Sequence, residues 1–159
     1  DFNGPVYLSF GRPKVPVFTD PNYKFIIGKG IKMTEGNDVT IVATGHLVWE
    51  ALEASKSLYE EGISAEVINI HTIKPLDDEI ILKSISKTRC IVSAEEHNYL
   101  GGLGESISRL ISLNNPIPQE FIATQDTFGE SGTPAELMVK YRLNSSSIIN
   151  KVKKVISRK

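Results

Sequence analysis

Cysteine is all but missing: the 159 residues contain one, Cys90. No internal disulfide can form, which fits a reducing compartment, and a cytoplasmic location is the expectation. Cys90 lies in the apolar run Cys90-Ile91-Val92 and reads as a small buried hydrophobe, because no activating base adjoins it. Long apolar runs are missing too. None approaches the ~18 residues of a membrane span, so a membrane is not an expected partner. Neither sign of charge is in excess: 18 Lys and Arg face 19 Asp and Glu, for a net charge of −1. Nucleic acid is therefore not an expected partner, since it calls for a basic surplus or stripe. The one basic concentration, Lys151, Lys153, Lys154, Arg158 and Lys159, reads as a solvated helix face. No paired ligand spacing for zinc is present, and no internal repeat or low-complexity segment. Position 1 is not methionine. The opening Asp1-Phe2-Asn3-Gly4-Pro5 has no signal-peptide pattern, so a fragment or a processed chain is expected.

What is there is ordinary in amount and regular in order. Hydrophobic residues make up 40% and charged residues 23%, the balance of a globular domain. Val6-Tyr7-Leu8-Ser9-Phe10 predicts a short strand ended by Gly11. Pro13, Pro16 and Pro21 make the following stretch an extended linker. Lys24-Phe25-Ile26-Ile27 and Ile31-Lys32-Met33, flanking Gly28-Lys29-Gly30, predict an irregular hairpin.

After Asp38, strand and helix alternate. Val39–Ala43 is a near-continuous apolar run, as in a strand buried on both faces. Leu47, Val48, Ala51, Leu52, Ser55, Leu58 and Tyr59 form a helical stripe, with Gly62 placed to end it. Further strands are predicted at 65–70, 90–94 and 121–123, and further helices at 79–86, 104–113, 134–141 and 146–157. This alternation predicts a three-layer α/β/α sandwich around a mostly parallel, possibly mixed, five-stranded sheet.

Ligands of such sheets bind near the carboxyl ends of the strands. Three histidines follow strand ends: His46, His71 and His97. His97 closes the trio Glu95-Glu96-His97, whose groups suit acid–base work. Adjacent strand residues point to opposite sides, however, so helix capping or an interface is the other reading of this trio. Gly101-Gly102-Leu103-Gly104, between a strand and a helix, exposes N–H groups able to hold an anion or allows close packing. The dinucleotide fingerprint fails because Ile107 stands where its third glycine belongs, and Gly28-Lys29-Gly30 is not a P-loop. Arg12 precedes a stiff proline segment, where a guanidinium suits phosphate recognition or a surface ion pair.

Four blocks, in order, resemble the transketolase family. Gly4-Pro5-Val6-Tyr7-Leu8-Ser9-Phe10-Gly11-Arg12 is similar to the end of its pyrimidine-binding domain. Asn69-Ile70-His71-Thr72-Ile73-Lys74-Pro75-Leu76-Asp77 resembles a motif in the middle of its carboxy-terminal domain. Glu95-Glu96-His97 with Gly101-Gly102-Leu103-Gly104, and Phe128-Gly129-Glu130-Ser131-Gly132 with Glu136-Leu137, resemble the remaining two. The resemblance covers nearly the whole chain and looks closest to short, two-subunit transketolases.

The resemblance implies a division at residue 22. Residues 1–22 would be the end of the pyrimidine-binding domain and a linker, and 23–159 the carboxy-terminal domain. It implies an enzyme moving two-carbon ketol units between sugar phosphates with thiamine diphosphate and magnesium. Those cofactors would be bound by domains outside this chain, so neither is expected on it. A homodimer or a partner subunit carrying those domains is implied, and the isolated chain is expected to be inactive. Arg12 would contact substrate phosphate; His71 and His97 would border the substrate channel; no residue here is read as catalytic. His71 stands where deoxyxylulose-phosphate synthase and many E1 β subunits of 2-oxo acid dehydrogenases have arginine, which argues against those two alternatives. A purely structural dimerisation module is the further alternative.

Overall fold

The computed structural model describes residues 2–11 and 14–159. Five strands, β1 (Ile31–Thr34), β2 (Val39–Ala43), β3 (Ala65–Asn69), β4 (Ile91–Asn98) and β5 (Gln119–Thr124), form one sheet in the order β1-β3-β2-β4-β5. β1 runs antiparallel to β3, and the other pairings are parallel. The mixed α/β sandwich is thus as expected. β2 lies mid-sheet and is buried at every residue, which is why its apolar run does not alternate.

Helices α1 (Leu47–Glu60), α2 (Asp78–Thr88), α3 (Leu103–Asn114), α4 (Pro134–Lys140) and α5 (Ser145–Ile156) cover the two faces. α1 and α5 pack on one face through Leu47, Ala51, Leu58, Ile148, Val152 and Val155. α2 and α3 pack on the other through Ile81, Ile85, Leu103 and Ile107. Gly62 takes a positive φ of 82° just past the end of α1, as its placement predicts. Asp77 caps α2, accepting from Ile80 N, and its other oxygen accepts from Gly30 N at 2.9 Å. The Gly28-Lys29-Gly30 segment is thereby tied to the fold.

Three expectations need correction. Val6–Phe10 forms no strand: Val6, Tyr7, Leu8 and Phe10 are all exposed, and an isolated strand has no ladder to stabilise it. Residues 24–27 are not the first arm of a hairpin, because β1 spends its hydrogen bonds on β3 instead. The basic tail is not a freely solvated face. Lys151, Lys154 and Arg158 reach Glu120, a 5% exposed residue of β5, at 2.8, 3.0 and 2.6 Å, and Lys153 pairs with Glu61. Burial alone would raise the Glu120 carboxyl, but the hydrogen bonds from Lys151, Lys154 and Arg158 outweigh it and hold it at about 2.

A second buried carboxylate sits under α2. Glu66 of β3 meets Lys87 at 2.6 Å and Lys32 at 3.3 Å, and accepts from the Ser84 hydroxyl. Thr40 of β2 joins Ser84 and Thr88 at 2.6 and 2.7 Å, so the polar groups between β2, β3 and α2 satisfy one another. Cys90 is buried as expected; its thiol donates to Asp38 O, and burial pushes its pKa up.

Candidate functional site at the strand ends

The order β1-β3-β2-β4-β5 fixes where a ligand can enter. From β2 the chain passes through α1 to β3 on one side. It then crosses back through α2 to β4 on the other side of β2. β2 leads into α1 on one face and its neighbour β4 leads into α3 on the other, so a crevice opens at the carboxyl ends of β2 and β4. His46 stands just past the end of β2; Glu96 and His97 form part of the end of β4. Together with Thr124 of β5, they line a cavity of about 710 Å³. Its opposite wall is Pro134, Leu137, Met138, Tyr141 and Leu143, from α4 and the turn after it.

The two adjacent acids separate as strand geometry requires. Glu95 is buried and turns toward α3, accepting from Leu103 N at 2.7 Å and Gly104 N at 2.8 Å. The anion held by the glycine-rich turn is thus the protein's own carboxylate. It complements the positive end of α3 and satisfies donors that a helix start leaves open. The glycines allow this approach: a Cβ on Gly102 would overlap the Glu95 carboxylate, and one on Gly104 would press on Phe121 and Ser93. A pyrophosphate does not fit this turn, because its N–H groups are taken. Among the described residues, no group of three or more His, Cys, Asp or Glu side chains could hold a metal ion.

Glu96 points the other way, into the cavity, where its Oε2 lies 3.1 Å from His46 Nδ1. His97 Nδ1 donates to Asn98 O at 2.7 Å, leaving Nε2 for the cavity. Glu130 at the rim is paired with Lys140. Gly11 passes directly over His46, so a Cβ there would overlap the imidazole Nε2. Two of the three histidines are therefore brought together, and the third is not. His71 lies outside the cavity, with its ring centroid 4.4 Å from that of Phe25 and Nδ1 2.9 Å from Thr72 Oγ1. Its Nε2 is buried without a partner among the described residues. Arg12 lies outside the described residues. Sequence reasoning named Glu96 only within the Glu95-Glu96-His97 acid–base trio and did not single out the wall from α4. His46 and Glu96 are 50 positions apart, and only the strand order joins them.

Burial pushes the His71 imidazole down, against a smaller upward effect of a backbone hydrogen bond. A folded value below the unfolded one means that the unfolded chain binds the proton more readily. The stability this confers is complete above the ordinary imidazole range near ~6.5 and is lost as pH falls through it. Replacing His71 with Gln is expected to flatten the pH dependence of unfolding free energy between about pH 7 and 5. Urea denaturation across that range checks it. An unchanged slope would mean that other groups govern it.

The model of the transketolase C-terminal domain matches residues 28–148. The chain belongs to the transketolase C-terminal domain family. It is 40% identical over 157 residues to the 6-deoxy-6-sulfo-D-fructose transketolase subunit SqwH of Clostridium sp. (strain MSTE9), covering 99% of this chain and 49% of that protein. A putative transketolase C-terminal section of Methanocaldococcus jannaschii is 39% identical, with 96% of this chain and 48% of that protein covered. A 1-deoxy-D-xylulose-5-phosphate synthase of Halothermothrix orenii is 36% identical over 82% of this chain, which corresponds to 21% of the synthase. Among solved structures, a split-gene transketolase described as an inactive beta4 tetramer superposes with a TM-score of 0.88 at 41% identity. That match covers 91% of this chain and 48% of the other. The chain thus spans about half the length of the transketolase relatives cited here. None of its helices, among the described residues, is long and apolar enough to cross a membrane.

Proposed function

We propose that this chain is the carboxy-terminal part of a two-component, thiamine-diphosphate-dependent transketolase that moves two-carbon ketol units between sugar phosphates. One observation carries the reading: 99% of the chain aligns with half of a transketolase subunit. The cofactor and its magnesium belong to domains outside the chain, in keeping with a glycine-rich turn already filled by Glu95. Residues 1–22 belong to the end of a pyrimidine-binding domain. Their exposed Phe2, Val6, Tyr7, Leu8, Phe10, Val15 and Val17 are an apolar surface of the kind that marks contact with other protein. The 23–159 domain supports assembly and borders the substrate channel, with Arg12, His71 and His97 toward substrate.

Reconstitution tests this. The full-length parent protein would be combined with a subunit carrying the cofactor-binding domains, then given hydroxypyruvate and an aldose phosphate. Ketose phosphate is expected from the mixture and from neither component alone. A mixture that instead consumed pyruvate would support a synthase or 2-oxo acid dehydrogenase. No turnover with either donor would leave the dimerisation module as the better reading. The tetramer named for the solved relative makes self-association of this chain the expected result in equilibrium sedimentation.

A further inference from the structure

Most apolar side chains of the amino-terminal arm face solvent: Phe2, Tyr7, Leu8, Phe10 and Val17 are all exposed. Phe18 departs from that pattern. It is half-buried and packs against the core beneath α1 and α5. Its ring centroid lies 6.3 Å from that of Trp49, tilted by 31°, within the range of attractive aromatic pairs. The Trp49 ring is itself held from along α1. Lys56 Nζ stands 5.4 Å from its centroid and is paired with Glu53 at 2.6 Å.

Gly11 has a seat beside this one. It passes so close over His46 that a Cβ would overlap the imidazole. His46 is the N-cap of α1 but already has helical dihedrals, φ −59° and ψ −32°, and Trp49 N donates to its carbonyl at 3.1 Å. Helical positions three apart are neighbours on the surface. An extended chain could hold residues 11 and 18 ~23 Å apart, yet both come down on the first turn of α1. Past Phe18 the arm closes in a turn, where Asp20 Oδ1 accepts from Asn22 N at 2.8 Å and Asp20 O from Tyr23 N at 3.0 Å. We infer that His46 and Trp49 are positioning residues: they seat Gly11 and Phe18, and so fix both ends of the segment that carries Arg12 beside the carboxyl end of β2. Fixed ends lower the ordering entropy that a contact made by that segment would otherwise cost. The consequence for turnover rests on the proposed reading of Arg12, whereas the seating is measured on the chain by itself.

Trp49 is the only tryptophan, so its fluorescence reports the Phe18 seat. In the full chain, Phe18→Ala is expected to shift that emission and to speed tryptic cleavage after Lys14 about tenfold, the scale of one lost aromatic contact. Phe18→Tyr should restore both. Gly11→Ala should speed the same cleavage, and adding His46→Ala should cost little more, because the smaller side chain leaves room for the new methyl. Either single variant with native circular dichroism suffices for the comparison. In the reconstituted enzyme, Phe18→Ala should raise KM for an aldose phosphate about tenfold with kcat nearly unchanged, and Phe18→Tyr should recover it. The hydroxypyruvate half-reaction should change much less. Unchanged emission and cleavage in Phe18→Ala would overturn the seat at Trp49. Additive losses for Gly11→Ala and His46→Ala would overturn the seat at His46, and a lost seat with an unaltered KM would overturn the positioning role. A wild-type mixture without turnover would count against the proposed function, and fluorescence and cleavage would still decide the seating.

Discussion

Replacing Glu120 with Gln should cost about 2 kcal/mol at pH 7 and only about a quarter of that at pH 2.5. Its carboxyl is held at about 2 in the fold, against an ordinary value of 4.5. The folded value is the lower one, so the stabilisation is fully present above about 4.5 and is lost as pH falls toward 2. Linkage alone would make the interaction worth about 3 kcal/mol. Lys151, Lys154 and Arg158 keep 36%, 59% and 48% of their side chains exposed, and solvent screening lowers that figure. At this chain length about 2 kcal/mol corresponds to a drop in Tm of roughly 4–8 °C. Calorimetry at pH 7, 4 and 2.5 should show wild type and variant converging as acid is added. A constant gap would assign the effect to packing at the β5–α5 contact rather than to charge.

That cluster shows where sequence reasoning stops. The lysines at 151 and 154 and the arginine at 158 lie one turn apart, so a shared helix face was legible. What the face meets was not, because its partner sits 31 residues away at the closest, on β5. The sheet itself was legible from Val39–Ala43 onward, because buried strands and amphipathic helices carry different periods. The first 30 residues misled for the opposite reason. Val6–Phe10 and Lys24–Ile27 carry the apolar and aromatic residues of a strand, yet among the described residues no neighbouring edge pairs with either. At the strand ends, the opposed directions of Glu95 and Glu96 followed from the two-residue repeat. The close approach of Glu96 to His46 did not, since it depends on β4 lying beside β2. His71 was grouped with the other two by its position after a strand. β3 lies on the far side of β2 from β4, which puts it beyond the cavity.

Arg12→Ala should lower kcat/KM for phosphorylated sugars by roughly 10- to 150-fold in the reconstituted enzyme. The planar, permanently charged guanidinium of an arginine, here followed in sequence by Pro13, favours two-point contact with a phosphate. The block Gly4 to Arg12 resembles the transketolase segment whose arginine meets substrate phosphate. Gly11, its neighbour in sequence, lies against His46 at the mouth of the crevice. A charge-assisted hydrogen bond of this kind is worth about 1.5–3 kcal/mol, and ~1.4 kcal/mol is tenfold in rate. The contact disappears when the substrate has no phosphate, so the half-reaction with hydroxypyruvate should change much less. Measuring both donors on the same preparation separates the explanations. Equal losses would make Arg12 a residue that shapes the arm rather than one that meets the substrate. Undiminished turnover of both would place it away from the phosphate altogether.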